Sequence, residues 1–547
     1  MLSPNYDDEI PEMTAEVARA AFPKGNAVMK IRDELGPVFS DDEFAELYPK
    51  TGQPAESPGR LSLVTILQFM ENLTDREAAD AVRGRLDWKY LLGLELTDPG
   101  FHYSVLSEFR QRLLEHGAEE ILLNRILEQC EAAGLLKGQS KQRTDSSYIL
   151  AAIRILNRVE LVGEAMRRVL DDIAQVAPEW LKPLVQPEWG KRYGRRVDTH
   201  RLSQTKRKEL AKEIGEDGHF LFKAIYREDA PDEVKQLASV EMLRRIWIQQ
   251  YYASNDKIYW REKDQYGTPS SQTMIASPDD IEARYGSKDS RTWTGYKVHL
   301  TETCDETAPR LITQVETTVA TTPDASVLED IQDDLIARNL TPESHWVDGG
   351  YPNVDVLLSS QEKGIDLIGP MRPDTSWQAK MVGGYDQSKF VIDWDNMLAT
   401  CPEGETSIHW KEGKTATGRP NIHFAFSLPA CSACSSRHVC TKAEKIGRHI
   451  TVQPQTAYEL QKAARERQVS EEFKELYKRR AGIEGTIAQA VRGKNMRYAR
   501  YRGLLKTHLQ HLGTAAAINL QRIAAWLMGD LPKGTRISPF AALVSPL

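Results

Sequence analysis

Three acidic residues are set in surroundings that suit chemistry. Asp348 lies in WVDGGYPNVD, between an apolar run and a pair of glycines; Asp145 closes the polar part of QRTDSSYIL; Glu484 follows Tyr477 and Arg480 at i, i+3 and i+7 in YKRRAGIEGTIAQ. In open α/β sheets chemistry gathers at the carboxyl ends of strands, which is where the strand SHWVDGG puts Asp348. Gly349 and Gly350 let the chain leave that strand sharply. Three converging carboxylates repel one another, so such a cluster persists by binding divalent cations. Two hard cations about 4 Å apart activate an attacking oxygen and stabilise a leaving one in phosphodiester chemistry. Spacing alone does not single these acids out. Asp289, Asp305, Asp324 and Asp393 are eligible too, and the plainer readings are Asp145 and Asp348 as loop caps and Glu484 as the helix partner of Arg480.

Two further groups carry chemical meaning. Of six cysteines, Cys401, Cys431, Cys434 and Cys440 fall within 40 residues of one another, the last three in CSACSSRHVC. One CxxC with two more cysteines can complete a tetrahedral zinc site, which as a closed four-thiolate set would be structural; unliganded thiols are the alternative. Basic residues also cluster, although the net charge is −7. Lys478, Arg479, Arg480, Arg492, Lys494, Arg497, Arg500, Arg502 and Lys506 face a single acid, Glu484, and a second basic stretch runs from Lys191 to Lys212. With Tyr498 and Tyr501 interleaved, the first run favours phosphate contact over a solvated helix face.

The elements that must position these residues can be read from periodicity. A chain of 547 residues, 41% hydrophobic and 27% charged, is large enough for several domains. Residues 1–58 read as an N-terminal extension and 59–136 as helices, with Thr74-Asp75-Arg76-Glu77 a capping box. Such helices suit a DNA-binding region, with Arg76 and Arg110 as sequence-reading candidates, or any small bundle. Residues 137–148 supply a first strand, 149–283 a mostly helical insertion whose first helix is expected from Ile149, and 284–370 the strands TWTGYKVHLTET, PRLITQVETTVATT, SHWVDGG and IDLIGP with intervening helices. Residues 371–468 form a cysteine-containing insertion, 469–525 a basic helical part with Ser470 as N-cap, and 526–547 a tail. This is an α/β sheet with right-handed crossovers, interrupted twice. The start MLSPNYDDEIPEM lacks an apolar signal region, and LGTAAAINLQRIAAWLMG is broken by Asn519, Gln521 and Arg522, so a cytoplasmic protein without a membrane span is expected.

The stretches RLSLVTILQFMENLTDREAADAVRGRLDWKYLLGLELTDPGFHYSVLSEFR, RTDSSYILAAIRILNRVELVGEAMR, ARYGSKDSRTWTGYKVHLTETCDE, HWVDGGY, YKRRAGIEGTIAQAVRG and ARYRGLLKTHLQHLGTAAAINLQRI closely resemble bacterial insertion-sequence transposases of the eleven-eighty-two family, over nearly the whole chain. The resemblance implies DDE enzymes with an RNase H-like mixed sheet core, two insertions and an all-α N-terminal DNA-binding region. It implies that Asp145, Asp348 and Glu484 are the catalytic triad, holding two Mg²⁺ or Mn²⁺ ions. Water would cut the element end, and the freed 3′-hydroxyl would attack target DNA. Tyr477, Arg480 and Glu484 fit a tyrosine, arginine, glutamate, lysine signature, but Val491 stands at the lysine position and Arg492 one step late. Arg480, Arg492, Arg497, Arg500 and Arg502 would hold phosphates, and Tyr477 would stack on a displaced base. The implied partners are double-stranded DNA, both element ends and target, and a second copy of the chain in the synaptic complex; the implied place is the nucleoid. The alternatives are a host-adopted nuclease on the same core and a DNA-binding repressor that no longer cuts.

Overall fold

Runs of β-branched and aromatic residues between turn-forming segments build one six-stranded sheet. The computed structural model describes residues 1–2, 9–255, 257–262, 264, 266–288, 290–530, 540 and 543; Asp289 and most of the tail lie outside the described residues. The strands are β1 (Ser140–Leu150), β2 (Arg284–Lys288), β3 (Arg291–Thr303), β4 (Ile312–Val319), β5 (Pro342–Val347) and β6 (Asp366–Ile368). They are ordered β2-β3-β1-β5-β6, and β4 pairs with β3 beyond the stretch occupied by β2. β3 is antiparallel to its neighbours β1, β2 and β4, whereas β5 is parallel to both β1 and β6.

β1 runs on past Asp145, because Ser146 to Leu150 keep pairing with His299 to Gly295 of β3 after the pairing with β5 has stopped. The helix expected from Ile149 therefore begins only at Arg158. There the Asn157 side chain accepts the N–H groups of Val159 and Glu160, and Glu160 closes a capping box.

Before β1 come α1 (Pro58–Glu71), α2 (Asp75–Gly84), α3 (Ser104–Glu115) and α4 (Ile121–Ala132), with shorter helices around them. The capping box at Thr74 opens α2 as expected. Between β1 and β2, α5 (Arg158–Val176), α6 (Gln204–Ile225) and α7 (Ala238–Gln250) enclose their own core of Met166, Ile214, Leu221, Leu243 and Ile246. α8 (Leu328–Ala337) and α9 (Val354–Glu362) are the crossovers between β4, β5 and β6. After β6, a three-stranded antiparallel sheet and a hairpin pack around Phe390, Phe424, Phe426 and Ile450.

The chain returns to the first sheet through α10 (Gly482–Ala488) and α11 (Leu504–Leu527). α11 packs on β4 from one side and on α1 and α4 from the other. Phe69, Phe109, Leu122 and Ile126 of the N-terminal helices therefore share one core with Leu300 and Val315 of the sheet and Leu512 and Ile518 of α11. Two of the polar residues that interrupt this apolar helix have partners. Asn519 exchanges two hydrogen bonds with the backbone of Ile312, at 2.7 and 2.8 Å, and Arg522 pairs with buried Glu302 at 2.8 Å. Among the described residues no helix is long and apolar enough to cross a membrane.

Candidate active site

Sheet register brings Asp145 and Asp348 together. The parallel pairing of β1 with β5 ends at Thr144 opposite Val347, so the next residue on each strand is an aspartate. Asp145 is 8% exposed. Burial raises its pKa most, and the charge of Asp348 adds to this; Arg480, the Ser146 N–H and Lys288 offset only part, so the carboxyl moves from its ordinary 3.8 to about 6. The Asp348 carboxylate turns back to accept the Gly350 N–H at 2.6 Å. A Cβ on Gly350 would lie 2.9 Å from that carboxylate and 3.2 Å from the carboxylate of Asp324, so glycine leaves room between two acids.

Asp324 is the acid that spacing did not single out. It follows β4 in a short 3-10 turn and is nearly buried. Lys297 donates to it at 2.8 Å, and Ser146, the neighbour of Asp145, donates at 3.3 Å. Burial alone would raise its pKa, but the Lys297 hydrogen bond and charge, with His299 and Lys288, hold it below the usual range. A fully buried His299–Tyr351 hydrogen bond of 2.7 Å lies beside Asp324, and burial pushes His299 down to about 4. The sequence cue is the alternation in YKVH, which sets Lys297 and His299 on one face of β3. Of the other eligible acids, Asp305 accepts the Lys141 N–H and Asp393 closes a turn with Asn396, both away from the pair.

Glu484 joins this centre through an intermediary. Arg480 donates to Asp145 at 3.2 Å and to Glu484 at 3.1 Å, so the expected helix pair and the expected triad share one guanidinium. The Glu484 side chain is 66% exposed. Its helix is seated by groups that local sequence gave no reason to connect. Arg143 donates to the carbonyl of Arg479 at 2.7 Å and pairs with Glu302 at 2.6 Å; Glu302, fully buried, also accepts from Thr486 and Arg522. A Cβ on Gly482 would fall 1.9 Å from the Arg143 guanidinium, so any larger residue would push that guanidinium from its seat.

The segment expected as one helix after Ser470 is broken. Ser470 does cap it, but a helix over Glu471–Tyr477 tightens to a 3-10 turn over Lys478–Ala481 before α10, and a π turn follows over Gln489–Gly493. This turns Tyr477 inward. Its ring stacks on Phe473 at 5.7 Å, its hydroxyl donates to the Val347 carbonyl at 3.3 Å, and burial pushes its pKa up to about 12. Tyr477 thus braces the strand that carries Asp348.

Among the described residues no three His, Cys, Asp or Glu side chains stand in metal-holding geometry. Asp145 and Asp348 alone still fit a hard cation of the Mg²⁺ type, which commonly takes one or two carboxylates plus substrate phosphates. The four clustered cysteines line one cavity of about 310 Å³ as free thiols. No disulfide joins them. The Cys431 sulfur accepts the Arg448 N–H at 3.4 Å, and burial raises Cys440 to about 11, away from the thiolate.

The basic run is less open than its composition suggests. Arg497 lies 3.5 Å over the Tyr148 ring and bonds Ser147 and the Tyr148 carbonyl; Arg500 bonds Asn72 and the Leu73 carbonyl; Lys494 bonds the Met70 carbonyl. These contacts dock the run onto β1 and α1. Arg492 is exposed, and Arg502 is half exposed and 3.4 Å from Asp279. In the N-terminal helices Arg110 is buried against Asp75 at 2.7 Å, while Arg76 is exposed and stacks over Tyr103. In the second basic stretch Arg192 is tied to Glu213 and Asp217.

Two family models match the chain. One, described as a transposase DDE domain, covers residues 400–524; the other, a transposase domain (DUF772), covers residues 16–112. No curated protein and no solved structure gives a match. One matched segment holds Glu484 and most of α11, the other α1, which packs against α11, and together they support an insertion-sequence transposase.

Proposed function

We propose that this chain is a DNA transposase of the eleven-eighty-two family that binds insertion-sequence ends, cuts a phosphodiester there and joins the resulting 3′-hydroxyl to target DNA. The observation that carries this reading is the β1–β5 register, which sets Asp145 beside Asp348 at the end of parallel strands, with Glu484 tethered to Asp145 by Arg480. A sheet in which β3 and β4 are antiparallel additions to parallel β1, β5 and β6 supports an RNase H-like core.

Asp145, Asp348 and Glu484 would hold two Mg²⁺ or Mn²⁺ ions, whose charge serves to activate an attacking oxygen and to stabilise the leaving one. Arg480 keeps the carboxylates from repelling one another and hands Glu484 to the site. Arg492 and Arg502 meet backbone phosphates, and α1 to α4 contribute to end recognition. Joining two ends calls for a homodimer, acting in the cytoplasm at the nucleoid. The test supplies the protein with Mg²⁺, a duplex carrying the terminal repeat found beside the coding sequence, and a supercoiled plasmid. Cut ends and end–plasmid joints are expected. Cutting without joining would favour a nuclease, and binding without cutting a repressor.

A further inference from the structure

We propose that Lys288 is a phosphate-binding residue of this site, its ammonium gripping the phosphodiester that is cut. The inference rests on the transposase reading above and adds a residue to it. Lys288 ends β2, at the turn of the hairpin whose register pairs it with Arg291 of β3. Its Nζ lies 3.7 Å from Asp324 and 3.9 Å from Asp348. Both distances are attractive but exceed the range of a hydrogen bond, about 3.2 Å. The two carboxylates already have closer donors, Lys297 at 2.8 Å on Asp324 and the Gly350 N–H at 2.6 Å on Asp348. Among the described residues the ammonium has no closer acceptor, so it keeps its donors for another anion, and its side chain is 54% exposed.

The charges at the strand ends make that anion specific. Asp145, Asp324, Asp348 and Glu484 face the cations Arg480, Lys297 and Lys288, of which the first two are tied to carboxylates at 2.8 to 3.2 Å. Lys288 alone is held loosely. A phosphodiester approaching these acids is repelled, and a lysine directed outward beside Asp348 compensates as a compact point charge. The hairpin is rigid enough to place it. Trp293 is buried near the start of β3, donates to the Tyr296 carbonyl at 3.1 Å and packs 5.5 Å from the Tyr148 ring, over which Arg497 lies.

The experiment compares wild type, Lys288→Gln and Lys288→Arg on two terminal duplexes, one natural and one with a single uncharged methylphosphonate at the cut position. Affinity is read by fluorescence anisotropy with Ca²⁺ as the divalent ion, and single-turnover cutting of the natural duplex with Mg²⁺. Neutralising the phosphate should weaken wild-type binding about tenfold to a hundredfold, the range of a charge-assisted hydrogen bond. Lys288→Gln should bind the natural duplex that much more weakly, lose less than wild type does on the neutral duplex, and melt with wild type. Lys288→Arg should restore most of the discrimination. A Gln variant that still discriminates as wild type does overturns this inference alone. A wild-type protein that neither binds nor cuts the terminal duplex overturns the transposase reading with it.

Discussion

Replacing Asp145 by asparagine should make the protein more stable while removing its activity. The ionised carboxylate is buried beside Asp348, and its pKa of about 6 against an ordinary 3.8 means that the folded state holds the proton more tightly than the unfolded chain. The sign follows from linkage: the folded state binds more protons between the two values, so stability falls as pH rises from about 4 to about 6 and is flat above. At about 1.36 kcal/mol per unit, ionisation destabilises the fold by up to about 3 kcal/mol at pH 8, and by about half that at pH 5. Asparagine mimics the protonated form and avoids this, although it weakens the tie to Arg480. Thermal melting of both proteins in metal-free buffer should show the variant melting higher, with the gap narrowing as pH falls. Mg²⁺ should raise wild type and leave the variant nearly unmoved. A variant that melts lower at pH 8, or a gap independent of pH, would refute the reasoning that Asp145 is held against an electrostatic cost.

Gly482→Ala should destabilise the protein by about 3 kcal/mol, because its Cβ would displace Arg143 from buried Glu302, and urea unfolding measures this. Arg497→Gln and Arg500→Gln should each lower stability by about 1 to 2 kcal/mol by the loss of internal hydrogen bonds. Arg492→Gln and Arg502→Gln together should instead flatten the slope of log affinity for DNA against log salt by up to about 2 units. If Cys401, Cys431, Cys434 and Cys440 hold zinc, iodoacetamide should alkylate them only after chelation; alkylation without a chelator, read by mass spectrometry, would remove zinc from this cluster.

The parts of this structure that were legible in the sequence are those fixed by local rules. Thr74 and Ser470 announce helix starts through their side-chain oxygens, and the strands holding Asp145 and Asp348 follow from residue type and turn signals. What stayed hidden depends on partners far apart in the chain. Arg143, Glu302 and Arg522 seat α10 across separations of 159 and 220 residues, so no periodicity reports them. Asp324 and Lys288 reach the site only through the sheet order, and as single charges among many they carry no local mark. Arg110, Arg497 and Arg500 show the same dependence on distant partners. A basic residue in a polar run suggests a solvent-facing contact, yet each also bonds within the fold, to the Asp75 carboxylate, the Ser147 hydroxyl and the Leu73 carbonyl respectively.

The most direct test of the central claim, that Asp145 and Asp348 form a cation-dependent cutting centre, is single-turnover cutting of the terminal duplex by wild type and Asp348→Asn at matched DNA occupancy. Among the described residues the Asp348 carboxylate accepts only the Gly350 N–H at close range, so asparagine keeps the turn while removing the charge. Wild type should cut only when Mg²⁺ or Mn²⁺ is added. The variant should bind the duplex with nearly unchanged affinity and cut at least about 10³-fold more slowly, about 4 kcal/mol of barrier. Near-normal cutting by Asp348→Asn, or wild-type cutting undiminished in EDTA, would contradict the account.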